Sequence, residues 1–232
     1  MQAKDKIIYA LDVDSLDKAK ARVAAISPHV GPIKIGLELI TAVGGPQAVD
    51  AVHDAGGLVM YDGKFNDIPN TMAGATRPVA ARGVKMFTVH ASSGLASVKA
   101  AVAACGASKV IGVTVLTSID EEECVEIFGD RPSAKVRAFA ELLCEAGAHV
   151  VVCSPQEVGG LADLPLLRIT PGVRPLWAAA GDQKRVMTPG EAIRAGADYL
   201  VIGRPISAPP PEVGSPAEAA GLIAREIEEA LG

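Results

Sequence analysis

Two carboxylates and one ammonium group lie within the six residues 62–67 of the segment 61–71, whose sequence is YDGKFNDIPNT. The apolar run 58–61 before them is typical of a buried parallel strand. Side chains at positions i and i+2 of a strand point to the same side, so Asp62 and Lys64 are predicted to project together from the strand's end. Asp67 lies at the turn into the next helix, where it is free to face this site or a neighbouring subunit. Charged groups are costly to bury unpaired, so the segment predicts a reactive site, with an ordinary surface ion pair as the alternative.

Eight short apolar runs alternate with helix-like stretches along the chain, which is typical of a parallel α/β fold. The predicted strands span 7–13, 33–37, 58–62, 86–90, 110–116, 150–154, 167–171 and 199–203. The predicted helices include 15–26 with Ser15 as N-cap, 46–55 ended by two glycines, 133–145 ended by Gly147, and a closing helix 216–231. Eight such units in 232 residues predict a single (β/α)8 barrel, with 1–232 as one catalytic domain.

The composition restricts the class of protein. A formal net charge of −5, 3% aromatic residues and no run of Lys or Arg argue against a nucleic-acid surface. The apolar runs are well short of the roughly 20 residues of a membrane span, and no signal-peptide pattern precedes the first strand, so we expect a cytoplasmic protein that does not enter a membrane. The cysteines show no metal-ligand spacing, and we expect reduced core residues at all four positions, Cys105, Cys124, Cys144 and Cys153.

Barrel sites form at the carboxyl ends of the strands, so polar residues near those ends are the candidates. Asp12 ends the first predicted strand, and Lys34 lies within the second. An unpaired buried ammonium is unfavourable or shifts its pKa, so Lys34 is predicted to lie near carboxylates, with Asp12 and Asp62 as its partners. An ion-pair plug that only fills the barrel mouth is the alternative. The same criterion adds His90, Thr117, Ser154, Arg174 and Arg204, of which His90 is interpreted as a core histidine in preference to a site residue.

A phosphate site is predicted near the C-terminus. Gly203 and Arg204 stand at the end of the last strand, where barrels often bind phosphate through backbone N–H groups, and a guanidinium fork suits phosphate oxygens. The segment 174–188 carries Arg174 and Gln183 and is predicted to fold over a bound ligand as a lid, with an ordinary surface loop as the alternative.

Several segments, in their order along the chain, resemble those of the orotidine 5′-phosphate decarboxylase family. The resemblance rests on ALD at 10–12, KxG at 34–36, DxKxxDIPNT at 62–71, VCSP at 152–155, PGVR at 171–174, GDQ at 181–183 and GRP at 203–205. Two positions depart from the usual family pattern, with Gly63 in place of a Leu and Asn66 in place of a His. Neither position is charged, so the departures concern local packing.

The resemblance implies a homodimeric enzyme of pyrimidine (UMP) biosynthesis that converts orotidine 5′-phosphate to uridine 5′-phosphate (UMP) and carbon dioxide without a metal or cofactor. It implies a charged array of Lys34, Asp62, Lys64 and Asp67, with Asp67, Ile68 and Thr71 contributed by the partner subunit. The implied ribose contacts are Asp12 and Lys34, the pyrimidine contact is Thr117 or Ser118, and the phosphate contacts are Arg174, Gln183, Gly203 and Arg204.

Decarboxylation at C6 of the pyrimidine leaves a vinyl carbanion that no adjacent carbonyl can stabilise. Fixed charges must therefore favour the carbanion, and an acid must protonate it. Lys64 is predicted to do both, because an ammonium between carboxylates stays charged and fixed. Asp62 would repel the substrate carboxylate and lose that repulsion as carbon dioxide leaves.

Two alternatives are retained. The magnesium-dependent sugar-phosphate decarboxylases and synthases of the same superfamily resemble this layout but carry a Glu at the position of Lys34, since a divalent cation needs oxygen ligands. A non-catalytic nucleotide-phosphate sensor would keep the barrel and lose the chemistry, which the presence of Lys64 and Asp62 disfavours.

Overall fold

Eight parallel strands close into a barrel in which each strand pairs with its neighbours in sequence and the first pairs with the last. This computed structural model describes residues 2–178 and 187–232. The strands are β1 (Ile7–Leu11), β2 (Ile33–Ile35), β3 (Val59–Phe65), β4 (Met86–His90), β5 (Lys109–Val113), β6 (Val150–Val152), β7 (Leu167–Pro171) and β8 (Tyr199–Ile202). The α-helices of the described residues are α1 (Leu16–Ile26), α2 (Leu37–Val43), α3 (Gly45–Asp54), α4 (Pro69–Ala81), α5 (Leu95–Ala104), α6 (Glu121–Phe128), α7 (Pro132–Ala146), α8 (Pro189–Arg194), α9 (Arg204–Ser207) and α10 (Pro216–Leu231). The predicted (β/α)8 barrel is confirmed.

The strands are short apolar runs because a parallel barrel covers both of their faces. All five residues of β1 are buried, for example. One face of the strands forms a small apolar cluster of Ile8, Met60, Met86, Ile111, Val150, Ile169 and Tyr199, and the other face packs with the helices into a larger core. Asp62 and Thr88 follow Met60 and Met86 by two residues, so they continue the faces that carry this cluster toward the carboxyl ends of the strands.

The helix boundaries follow local signals. The closing helix α10 has the predicted bounds, and its first turn is held by a capping box between Ser215 and Glu218. Helix α7 extends the predicted 133–145 by one residue at each end and stops at Gly147, whose φ is 77°. Ser15 holds the N-cap position of α1, as predicted, but makes no side-chain capping hydrogen bond.

Several predicted boundaries were wrong. Strands β1, β2, β5, β6 and β8 end before the predicted residues, and α2 begins at Leu37, where the second strand was predicted to end. Strand β3 instead continues past residue 62 to Phe65, through a register shift against β4. The segment 117–132, which lies between the predicted fifth strand and the predicted helix 133–145, contains the unpredicted helix α6, whose N-cap Asp120 accepts a hydrogen bond from the Glu123 N–H. No helix in the described ranges is long and apolar enough to cross a membrane.

Candidate active site

Asp62, near the carboxyl end of β3, lies at the centre of a charged cluster at the barrel mouth. Its Oδ2 is 2.8 Å from Lys64 Nζ and 3.6 Å from Lys34 Nζ. Lys34 Nζ is also 3.5 Å from Asp12 Oδ1. The side chains of Asp62 and Lys34 are only 11% and 14% exposed, whereas that of Asp12 is 60% exposed. The structure thus brings four of the predicted residues into one array of alternating charge, in which the inner members are screened least by solvent.

Register explains how distant parts of the sequence meet here. In the parallel pairing, Ala10 of β1 aligns with Lys34 of β2, and Lys34 aligns with Met60 of β3. Asp12 and Asp62 each follow these partners by two residues, so they flank the Lys34 side chain from both neighbouring strands. Gly36 leaves room for the ammonium, because a Cβ on this residue would lie 3.0 Å from Lys34 Nζ.

Thr88 on β4 completes the cluster and is not among the residues predicted from the sequence. Its hydroxyl donates to Asp62 Oδ1 at 3.0 Å and accepts the backbone N–H of Lys64 at 2.9 Å. The residue is 1% exposed. In the sequence, Thr88 is distinguished only by a hydroxyl side chain within the apolar strand MFTVH, and an ordinary core threonine has the same appearance.

Lys64 has an unusual backbone. Its φ is 48°, and it is the one non-glycine residue with a positive φ in the described part of the chain. For an L-residue this left-handed conformation is strained and persists only where its surroundings hold it. It coincides with the register shift of β3 between Tyr61 and Phe65.

Packing explains why position 63 departs from the usual family pattern and carries a glycine. A Cβ on Gly63 would lie 2.5 Å from Tyr61 Cε1 and 3.1 Å from Phe65 Cε1. The centroids of these two rings are 5.9 Å apart. The aromatic pair therefore occupies the space that a larger residue at position 63 would need.

His90, the last residue of β4, is half-buried. Burial lowers the pKa of its imidazole, the Lys64 ammonium lowers this pKa further, and the Asp62 carboxylate opposes the shift. His90 is therefore close enough to the charged array to feel its field, and its interpretation as a core histidine stays a prediction.

Three of the predicted phosphate residues, Arg174, Gly203 and Arg204, follow strands β7 and β8. A Cβ on Gly203 would lie 3.7 Å from Asp12 Oδ2, which places this glycine beside the charged array. Arg204 is exposed and Arg174 is 8% exposed. The N–H of Arg174 donates to the carbonyl of Met187, so the two ends of the predicted lid meet. Gln183 and its neighbours at 181 and 182 lie outside the described residues, and Thr117 and Ser118 are both exposed.

Asp67, Ile68 and Thr71 are exposed, in the segment that follows Lys64 along the chain. Asp67 Oδ1 accepts the Ile68 N–H at 2.7 Å, and no ion pair of Asp67 occurs within the ranges 2–178 and 187–232. The Ile68 side chain is 66% exposed. Residues 66–69 and 93–97 line an open depression of about 650 Å³.

The sequence profile described as "Orotidine 5'-phosphate decarboxylase / HUMPS family" matches residues 5–219. The chain belongs to this family. The matched range contains every predicted site residue, from Asp12 to Arg204.

Individual members of this family are similar over nearly the whole chain. A curated orotidine 5′-phosphate decarboxylase from Moorella thermoacetica is 47% identical over 98% of this chain and 94% of its own length. The protein of the same name from Anaeromyxobacter sp. (strain K) is 46% identical over 96% of this chain and 100% of its own length. The crystal structure of the orotidine 5′-phosphate decarboxylase from Lactobacillus acidophilus superimposes with a TM-score of 0.81 at 28% identity, covering 96% of this chain and 99% of that chain.

Proposed function

We propose that this chain decarboxylates orotidine 5′-phosphate to UMP and carbon dioxide, in UMP biosynthesis in the cytoplasm. One observation carries the proposal. In a chain of this family, the buried Asp62 carboxylate is held between two ammonium groups, with Lys64 Nζ at 2.8 Å and Lys34 Nζ at 3.6 Å. Such fixed, alternating charges are what a reaction through an unstabilised carbanion requires. We propose that residues 1–232 act as one catalytic domain.

Lys64 is the proposed proton donor. As the bond between C6 and the carboxylate breaks, its electron pair stays on C6 and carbon dioxide leaves. The Lys64 ammonium then gives its proton to C6, and the resulting amine recovers a proton from solvent. Asp62 is proposed to keep Lys64 in place and to repel the departing carboxylate.

The position of Lys34 supports this metal-free reaction over the magnesium-dependent reactions of the sugar-phosphate branch. Its Nζ lies between Asp12 Oδ1 and Asp62 Oδ2, at 3.5 Å and 3.6 Å. A divalent cation would need oxygen ligands in this region, and the ammonium would repel it. We therefore propose a reaction without metal or cofactor.

A homodimer would complete the site. Asp67, Ile68 and Thr71 are exposed on the subunit, beside an open depression, and we propose that they enter the site of the partner. Lys34 would then bridge Asp62 of its own subunit and Asp67 of the other. The proposed substrate contacts are Asp12 and Lys34 to the ribose, Thr117 or Ser118 to the pyrimidine, and Arg174, Gln183, Gly203 and Arg204 to the phosphate.

Lys64→Ala tests the proton donor against Lys99→Ala as a matched control. Lys99 pairs with Glu145 on the surface at 3.4 Å, so its loss removes an ammonium without touching the site. We expect Lys64→Ala to bind UMP in a calorimetric titration but scarcely to decarboxylate, while Lys99→Ala behaves like the wild type. Retained turnover in Lys64→Ala would refute this proton donor.

Mixed dimers test the shared site. Lys64→Ala and Asp67→Asn should each be inactive alone, but a mixed dimer has one site with both changes and one with neither. Co-expression in equal amounts should therefore restore about one quarter of the wild-type activity per subunit. Activity that stays at the level of the separate variants would exclude a contribution of Asp67 across the interface.

A further inference from the structure

We infer that Thr88 is a positioning residue that fixes the Asp62 carboxylate and the Lys64 backbone to each other. The inference rests on the proposed function, since it concerns how the charged array is held during that reaction. Thr88 lies on the neighbouring strand β4, and its one hydroxyl serves both partners, as donor to Asp62 Oδ1 and as acceptor from the Lys64 N–H.

The two oxygens of Asp62 have different partners. Oδ2 lies near both ammonium groups, and Oδ1 accepts from Thr88 at 3.0 Å. Without Thr88, ion pairs at one oxygen alone would leave the carboxylate free to rotate about its bond to Cβ. In the proposed reaction Asp62 faces a substrate carboxylate, and repulsion would drive this rotation. The hydroxyl of Thr88 opposes it and keeps the array in the geometry that the reaction needs.

The same hydroxyl holds the strained backbone of Lys64. The residue has a φ of 48°, and its N–H is directed to Thr88 Oγ1 at 2.9 Å. A strained conformation persists only when surrounding contacts determine it. Because Lys64 is two residues after Asp62, one buried hydroxyl fixes both the backbone of the proton donor Lys64 and the carboxylate of its partner Asp62.

The test compares Thr88→Val, which keeps the shape and removes the hydroxyl, with Thr88→Ser, which keeps the hydroxyl. Hydrogen bonds to charged groups contribute enough that Thr88→Val should lower kcat by about 10-fold to 100-fold. Thr88→Ser should recover most of this loss. Inhibition by UMP, which lacks the carboxylate, should change by less than about 3-fold, because the array acts on the reacting group. Thr88→Ala removes the same hydroxyl and serves if the valine variant does not fold.

Ser108→Ala is the control for a simple loss of stability. Ser108 is buried at the amino end of β5, and its hydroxyl donates to the Val84 carbonyl at 2.8 Å. This variant loses a buried hydrogen bond away from the array, so its melting temperature should fall while kcat stays at the wild-type value. Wild-type kcat in Thr88→Val, or an equal fall in kcat in Thr88→Ser, would overturn the inference while leaving the proposed function intact if the wild type is active.

Hydrogen exchange of the Lys64 amide tests the inference without any turnover. Measured by NMR, this amide should be protected in the wild type and in Thr88→Ser, and should exchange at least about 10-fold faster in Thr88→Val. Equal protection in the three proteins would show that Thr88 does not hold this backbone, whether or not the chain is a decarboxylase.

Discussion

The left-handed backbone of Lys64 leads to a stability prediction that reverses the usual order of alanine and glycine. Lys64→Ala and Lys64→Gly both remove the ammonium, so they lose the same ion pair with Asp62. They differ in how well each residue tolerates a φ of 48°. Lys109, the first residue of β5, is the matched site, because it lies in a strand without a positive φ.

The magnitude follows from two opposing effects. Glycine loses more backbone entropy on folding, which disfavours it in a strand by about 0.5–1 kcal/mol relative to alanine. The left-handed region costs an L-residue roughly 1–2 kcal/mol, and glycine does not incur this cost. Only the first effect acts at Lys109, and both act at Lys64. At each position, the free energy of unfolding of the alanine variant is subtracted from that of the glycine variant. The value at Lys64 minus the value at Lys109 then isolates the cost of the left-handed conformation, about 1–2 kcal/mol in favour of glycine.

Urea denaturation of the four variants measures this difference directly. We expect Lys109→Ala to be more stable than Lys109→Gly, and Lys64→Gly to be at least as stable as Lys64→Ala. In a chain of this length, about 1 kcal/mol corresponds to roughly 2–4 °C in melting temperature, so thermal scans give a second readout. The same order and the same difference at both positions would refute the claim that Lys64 is strained.

Three further predictions concern packing, the phosphate and pH. Gly63→Ala should destabilise the fold by about 1–3 kcal/mol in urea denaturation, because its Cβ would meet the Tyr61 ring; Gly221→Ala, where a Cβ meets no atom within 4 Å, should not. Arg204→Ala should lower kcat/KM for orotidine 5′-phosphate by on the order of 10²-fold but leave slow turnover of the nucleoside orotidine unchanged, since the nucleoside has no phosphate for Arg204 to hold. Equal losses on both substrates would contradict the phosphate assignment. Burial lowers the pKa of His149, whose Nδ1 accepts the Val110 N–H at 3.1 Å. At mildly acidic pH the unfolded state then binds more protons than the folded state. The contribution of His149 to the free energy of unfolding is therefore fully present above the unfolded pKa of about 6.5 and is lost as the pH falls below it. Melting curves of His149→Asn should show a smaller loss between neutral and mildly acidic pH, and an unchanged loss would exclude His149 as a cause.

Much of the fold follows from local patterns in the sequence. Apolar runs that alternate with amphipathic stretches specify the barrel, and the SPAE sequence at 215–218 marks the first turn of α10. The pairing of Asp62 with Lys64 was also accessible, because i and i+2 side chains share a face of a strand. These features depend on neighbours in the chain, so the sequence alone determines them.

Other features depend on contacts between distant segments. The extension of β3 to Phe65 and the left-handed Lys64 accompany a hydrogen bond to Thr88, 24 residues further along the chain. Thr88 itself resembles a core threonine until the direction of its hydroxyl is known. Asp67 is exposed on the single subunit, so its proposed role in the site of a partner would depend on contacts between subunits.

Fixed protein charges around Asp62 and Lys64 are proposed to catalyse the decarboxylation of orotidine 5′-phosphate. The most direct measurement is the fall in pyrimidine absorbance when the purified protein is mixed with this nucleotide in buffer that contains EDTA. We predict rapid turnover to UMP that EDTA does not reduce. Turnover that requires added magnesium, or activity on sugar phosphates alone, would contradict the claim, and binding of the nucleotide without turnover would indicate a sensor.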